Sequence, residues 1–274
     1  LSIVITTRNR SSDLVACLRS IEESTGLEFN YEIIVVDDAS TDATATMSYK
    51  DFSINNLIFL RNSVQQMMVR TRNSGAKASR GELVLFIDDD NVLAHDMISE
   101  IVRFADENAE YGIIGPKMCY FPSKRPYLSY QKINFFTGKT TGHLDASGAK
   151  YYDSDGIPNV FMVRKTALED CGYFDESIVQ TYTEPDLAFT ASRLGYKCAM
   201  LQSAETYHRI SEESSSVHLG GNKFNQKAFF LMRNRIVMIA RYGRWYHQAV
   251  FLFLFSWLWP LLYTLSVIRE KRFD

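Results

Sequence analysis

LVLFIDDDNVL, residues 83–93, drives five apolar residues straight into Asp88, Asp89 and Asp90. A short continuous apolar run of this kind reads as a strand buried on both faces. Like charges packed side by side repel, and each carboxylate resists desolvation. The strand end therefore calls for compensation by water, a basic partner or a metal ion.

The same grammar recurs along the first half. SIVIT (2–6), EIIVVDD (32–38), NLIFLR (56–61) and ELVLFID (82–88) read as strands. Residues 11–23 read as a helix with Ser11 or Ser12 as N-cap and Leu14, Leu18 and Ile21 on one face. Ser40 and Thr41 are placed to cap a helix after the second strand, 65–81 forms another ending at Gly81, and 94–108 another before the strand YGIIGPKM. Alternation of this kind predicts an α/β fold with a parallel sheet covered on both faces. The acids at 38 and 88 fall at strand C-termini, the edge where such sheets bind ligands.

The second half is less regular. Residues 120–158 read as loops with short strands, and 159–176 as a strand, a short helix and a turn. Residues 184–197 form a helix ending near Gly195, CAML is a last strand, and 211–221 is a polar segment before a long helix. No internal repeat is visible.

Composition narrows the function classes. At 274 residues, 46% hydrophobic and 23% charged, the chain can bury a core. A net charge of −2 argues against bulk electrostatic capture of nucleic acid. Cys17, Cys119, Cys171 and Cys198 are far apart with no CxxC, which fits a reduced compartment better than a zinc or disulfide framework. No signal peptide opens the sequence, and it begins at Leu1, so the true N-terminus is expected upstream.

The tail differs. Residues 249–268 carry no charge, with Arg241 and Arg244 before them and Arg269, Lys271 and Arg272 after. Trp245, Trp257, Trp259 and Tyr263 suit a membrane interface, and Pro260 would kink a helix. Membrane contact is expected, in-plane or re-entrant rather than a clean span given basic residues on both sides. A buried C-terminal helix, or one that pairs with another chain, is the alternative.

Asp88 and Asp90 flank Asp89, so their side chains can converge at the strand end. Hard oxygen donors there suit Mg²⁺ or Mn²⁺, above all with a phosphate as co-ligand. The competing reading is a solvated acidic turn capping the helix near 94. Lys77, Arg80 and Arg164 are candidates to share the neutralisation of a diphosphate.

VITTRNR, IIVVDDASTD, RTRNSGAKASRGELVLFIDDDN, FMVRKTALEDCGYFDE, TEPDLAFTASRLGYK and FFLMRNRIVMIARYG follow one another in the order found in family 2 glycosyltransferases. The chain resembles that family over roughly residues 1–242. The resemblance implies a GT-A fold, a mixed sheet flanked by helices, with a catalytic domain at 1–220 (nucleotide half 1–118, acceptor half 119–220) and a C-terminal helical region at 221–274. It implies transfer of a sugar from a nucleotide-sugar to an acceptor hydroxyl with inversion. Thr6, Thr7, Arg8 and Asp38 would hold the nucleoside, with Arg72 and Asn73 supporting the pocket. Asp88 and Asp90 would bind the metal with His208, and Asp89 would lie near the ribose or donor sugar. Asn159, Phe161 and Arg164 fall where the family shapes its donor and acceptor pocket. The family's base motif, of ED-x-D-L type, corresponds to TEPDL. This leaves Glu184 at the base position, Asp186 as the second candidate, and Thr183 where an acid is common. Residues 211–221 could fold over the donor, and Arg233 and Asn234 either face lipid phosphates or lock their helix to the domain.

The expected activity is thus a metal-dependent, membrane-associated transferase at the cytoplasmic face. Its donor would be UDP- or GDP-linked, and its acceptor a lipid-linked glycan or polyprenyl phosphate. A nucleotidyltransferase is disfavoured because TTRNRSS lacks the glycines of such loops. A decayed sugar-nucleotide-binding scaffold is the non-enzymatic alternative, kept open by Thr183.

Overall fold

The computed structural model describes residues 1–54, 56–210 and 223–269. In chain order the elements are β1 (Ser2–Thr7), α1 (Ser11–Glu22), β2 (Glu32–Asp37), β3 (Leu57–Arg61), α2 (Met67–Ala78), β4 (Leu83–Asp88), β5 (Asn91–Leu93) and α3 (Met97–Glu107). There follow β6 (Tyr111–Tyr120), β7 (Pro126–Leu128), β8 (Tyr130–Asn134), β9 (Lys139–His143), β10 (Tyr151–Asp153), β11 (Val160–Arg164) and α4 (Lys165–Asp170). The last are α5 (Thr183–Arg193), β12 (Lys197–His208), α6 (Lys223–Tyr242), α7 (Trp245–Val250) and α8 (Ser256–Arg269).

The main sheet runs β10-β12-β6-β11-β4-β1-β2-β3, with β5 on β12 and β7 on β6. From β4 to β3 all pairs are parallel, and β11 lies antiparallel between β4 and β6. Strand periodicity sorts the apolar runs onto two faces. Ile3, Ile5, Ile33, Val35, Leu85 and Ile87 pack with Leu14, Leu18, Ile98 and Ile101 of α1 and α3. Val4, Ile34, Val36, Val84 and Phe86 pack on the other face with Val69, Leu168 and Leu187 of α2, α4 and α5. Helix α2 comes close at Gly75, where a Cβ would lie 2.3 Å from Val4 Cγ1.

Several expectations are revised. No long helix follows β2. Residues 43–46 and 49–51 make single 3₁₀ turns, and Asp42 rather than Ser40 or Thr41 accepts from the Thr44 amide. Neither Ser11 nor Ser12 caps α1, which Arg10 precedes without a side-chain cap. The last strand is twelve residues long instead of four, running to His208 with a register shift between Leu201 and Glu205. The polar segment 211–221 lies outside the described residues. In the tail, α7, a π-helical turn at Phe251–Phe255 and α8 follow one another. Among the described residues no helix is long and apolar enough to cross a membrane. Trp245, Phe253 and Trp257 are nonetheless 78%, 81% and 76% exposed.

Candidate active site

The parallel register sets Thr6 opposite Asp88 and Thr7 opposite Asp37, so three strand C-termini open on one edge. A cleft of about 530 Å³ lies there, lined by Thr6, Thr7, Arg8, Arg10, Asp38 and all three aspartates among others. The acidic strand end turns sharply after Asp88. Asn91, wholly buried, donates to the Asp88 carbonyl at 2.9 Å and to Asp90 Oδ1 at 3.2 Å, which folds the chain back into β5.

Each aspartate meets a different neighbour. Asp88 Oδ1 accepts from Arg72 at 2.8 Å. Asp89 Oδ1 and Asp90 Oδ2 both accept from Arg10 Nη1, at 3.1 and 2.6 Å. On its other side, Asp90 Oδ1 lies 3.4 Å from His208 Nε2 and 3.5 Å from Asn159 Nδ2. Asp89 Oδ2 is buried with no hydrogen-bond partner among the described residues.

The electrostatics differ accordingly. Burial pushes Asp89 up to about 7, against the pull of Thr7 and Arg10 and with the help of its two acidic neighbours. Burial also raises Asp88, although Arg72 opposes it. At Asp90 burial is overcome by His208 and Arg10, which bring its carboxyl below the ordinary value.

The cleft is joined to α5 through Arg72. This guanidinium, 1% exposed, donates to Asp88 and, through Nη1, to Glu184 Oε1 at 2.6 Å. The rings of Phe161 and Phe174 lie 5.7 Å from it. Glu184 Oε2 accepts from Thr183 Oγ1 at 2.6 Å. The glutamate sits in the first turn of α5. The residue before the helix, Tyr182, has φ 64°, as Asn9, Ala39 and Met67 around the cleft also have positive φ. Left-handed backbone at a non-glycine residue such as Tyr182 is strained.

Other expected site residues are placed differently. Asp38 stands on the cleft wall, but its oxygens already accept from Asn62 Nδ2 and the Gln66 and Met67 amides, anchoring the start of α2. Asn73 is turned away, exchanging hydrogen bonds with the Phe174 backbone at 3.0 Å. Arg164 is a correction. It pairs with Leu83 at the opposite end of β4, and its guanidinium donates to the carbonyls of Ala105, Tyr111 and Asn108. Arg80 also lies at that far edge, its amide on Ser2 Oγ and Glu32. Lys77 rests over the Tyr173 ring. Asp186 points to the other side of α5, where Tyr242 Oη and Arg241 donate to it at 2.7 and 3.1 Å, so the second base candidate clasps α6 instead. Phe161 is core, whereas Asn159 does reach the cleft.

Arg10 and Tyr127 were not foreseen. The acid triplet called for a basic partner, and Arg10 sits just past a strand end on the same edge, which is the signal that points to it. Tyr127, 2.9 Å from His208 Nδ1, stands on the short strand β7, which the sequence did not mark out.

Among the described residues no three His, Cys, Asp or Glu side chains gather as a metal-holding group. Asp90 and His208 do face each other, Nε2 lying 3.4 Å from Oδ1. A carboxylate and an imidazole at this spacing fit two ligands of a divalent ion that keeps its other positions for water and phosphate. Asp88, turned onto Arg72, does not complete the expected trio.

Comparison with known proteins agrees with this architecture. The model of Glycosyl transferase family 2 matches residues 2–172. An uncharacterized glycosyltransferase of Haemophilus influenzae is 29% identical over 124 residues, 45% of this chain and 39% of that protein. The Staphylococcus aureus poly(ribitol-phosphate) beta-N-acetylglucosaminyltransferase TarS is 28% identical over 113 residues, 39% of this chain and 19% of its own. The chain thus spans well under half the length of these relatives. The S. aureus TarS 1-349 structure in complex with UDP-GlcNAc superposes with a TM-score of 0.61 at 20% identity, covering 88% of this chain and 66% of that one. GalNAc-T7 with UDP, GalNAc and Mn²⁺ gives 0.70 at 14% identity, covering 99% and 56%. The mixed sheet with flanking helices is the GT-A fold. Matched over more than half its length, the chain belongs to glycosyl transferase family 2.

Proposed function

We propose that this chain is an inverting glycosyltransferase that moves a sugar from a nucleotide-sugar to an acceptor hydroxyl, with Glu184 as base. The observation that carries the reading is the Arg72 bridge, which sets an acid of the donor cleft and a helix-borne carboxylate on one buried guanidinium. Glu184 takes the proton of the acceptor hydroxyl, whose oxygen forms the new bond to the anomeric carbon. The bond from that carbon to the diphosphate oxygen breaks, and the nucleoside diphosphate leaves with the electron pair. Thr6, Thr7 and Arg8, which line the cleft, would hold the nucleotide.

Asp90 and His208 would hold Mn²⁺ or Mg²⁺, which when bound neutralises charge on the leaving diphosphate. Both the donor and the ion are supported by the neighbours, TarS being solved with UDP-GlcNAc and GalNAc-T7 with Mn²⁺. UDP is therefore the first nucleotide to try and GDP the second.

The acceptor we infer is a lipid-linked glycan or polyprenyl phosphate, met at the cytoplasmic face of a membrane. Residues 223–269 contain no Asp or Glu but seven Lys and Arg, and α7, the π-helical turn and α8 present exposed Trp245, Phe253 and Trp257 in turn. A basic, aromatic-rich surface of this kind suits the plane of an anionic bilayer.

Calorimetry with UDP and GDP, with and without Mn²⁺, tests the donor site beside Asp90→Ala, and UDP-GlcNAc consumption tests the chemistry. Metal-dependent binding of one nucleotide, lost in the variant, is the expected result. Binding of neither nucleotide, with the variant like wild type, would return the triplet to a solvated turn. Sedimentation with phosphatidylserine vesicles tests the tail, and equal recovery with neutral vesicles or none would remove the membrane reading.

A further inference from the structure

Arg235 of α6 is 5% exposed, yet it has no carboxylate partner among the described residues, and its Nη1 has no hydrogen-bond partner. A buried guanidinium left so incompletely satisfied is costly to hold. What surrounds it is a set of joints. Its Nε donates to Tyr182 Oη at 3.2 Å, and its guanidinium lies 4.3 Å over the Trp259 ring of α8. Tyr182 Oη in turn donates to the Gly138 carbonyl at 2.5 Å, and Trp259 Nε1 to the Thr137 carbonyl at 2.8 Å. Gly138 has φ +66°, and a Cβ there would lie 2.2 Å from Arg235 Cγ, so the β8–β9 turn is shaped around this side chain.

Tyr182 is the left-handed residue just before α5, two positions from Glu184. The preceding loop is held by the same stretch of α6. Asn234, wholly buried, donates to the carbonyls of Val179 and Thr181 at 2.9 and 2.8 Å, and Arg233 donates to the Ser177 carbonyl at 2.7 Å. Of the two uses open to Arg233 and Asn234 in the sequence, locking is the one these contacts serve.

We propose that Arg235 is a positioning residue that ties helix α8 and the β8–β9 turn to the strained entry of α5, and so fixes where Glu184 stands. It rests on the reading of Glu184 as base. It adds that the apolar C-terminal helix is mechanically part of the acceptor side of the site rather than an appendage. A side chain held by its supporting shell keeps a reactive group in place, and a displacement of about 1 Å can cost about 100-fold in rate.

The test compares the full chain with Arg235→Ala, Arg235→Lys and Tyr182→Phe. Hydrogen exchange is followed at residues 180–186, UDP affinity by calorimetry, and UDP-GlcNAc consumption with Mn²⁺ and water as acceptor. Arg235→Ala and Tyr182→Phe are expected to speed exchange at 180–186 by about tenfold or more and to leave 83–90 unchanged. They lower kcat by about 10- to 100-fold while UDP affinity and donor KM stay within about twofold. Arg235→Lys, which keeps a cation over Trp259, recovers most of kcat. Wild-type exchange at 180–186 in both variants overturns the proposal, as does a parallel loss of kcat and UDP affinity. If wild type does not consume UDP-GlcNAc, the donor reading fails by itself, and exchange alone decides the role of Arg235.

Discussion

Arg72 and Glu184 are 112 residues apart in sequence and 2.6 Å apart in space, and the same guanidinium also holds Asp88. Removing a buried cation leaves two carboxylates facing each other without compensation. Arg72→Met should therefore destabilise the fold by about 3–5 kcal/mol in denaturant unfolding. Adding Asp88→Asn should return part of that loss, because one of the two stranded charges disappears. A double variant no more stable than Arg72→Met would show that the loss comes from packing against Phe161 and Phe174 rather than from the stranded charges.

Glu184→Gln keeps the shape and the Arg72 contact but cannot accept a proton. Turnover of donor should fall about 10²- to 10⁴-fold with nucleotide affinity nearly unchanged. Asp186→Asn, on the opposite side of α5, should leave turnover within a few-fold of wild type. Single-turnover kinetics on the two variants separates the candidates, and the reverse ranking would move the base to Asp186.

Asp186 also gives a pH signature. Burial raises its carboxyl above the ordinary value, although Tyr242 and Arg241 pull the other way and Asp175 adds to the rise. A raised acid keeps its proton longer in the folded chain than in the unfolded one, so the folded chain binds more protons between the two values. Wild type should then lose stability relative to Asp186→Asn as pH climbs from the unfolded value, about 4, through the raised one, and level off above it. Unfolding of both proteins across pH 3–8 checks this. A difference that grows in favour of wild type would mean that Arg241 outweighs burial.

The strand half of the fold was legible because each strand is a continuous apolar run ended by an acid or a turn, and parallel pairing then puts the acids on one edge. The region after Asp38 was misread as a helix because Ser40 and Thr41 look like caps, whereas Asp42 closes only one 3₁₀ turn. In the site, Arg72 was legible along with the acids it bridges, Asp88 and Glu184, whereas Arg10 and Arg164 were misjudged. Arg164 sits on a strand running antiparallel to β4, and that reversal, invisible in sequence, sends it to the wrong edge. Asp186 and Glu184 are two residues apart, so a helical turn of about 200° puts them on opposite sides.

Arg10 decides how the triplet behaves without a ligand. It holds Asp89 and Asp90 together, and it is itself about half exposed, so it can swing away. In the free protein it occupies the carboxylate that, with His208, would receive a divalent ion. Arg10→Ala should therefore bind Mn²⁺ alone more tightly, by about 3- to 10-fold, since a competing cation is gone. The same variant should bind UDP in the presence of Mn²⁺ more weakly, because a freed guanidinium next to the cleft is a natural partner for phosphate oxygens. Opposite changes in the two affinities, read by calorimetry, are the signature of an arginine that trades an aspartate for a diphosphate. If both affinities rise together, Arg10 acts only as a competitor for the acidic turn, and phosphate neutralisation falls to Arg8 or to the ion alone.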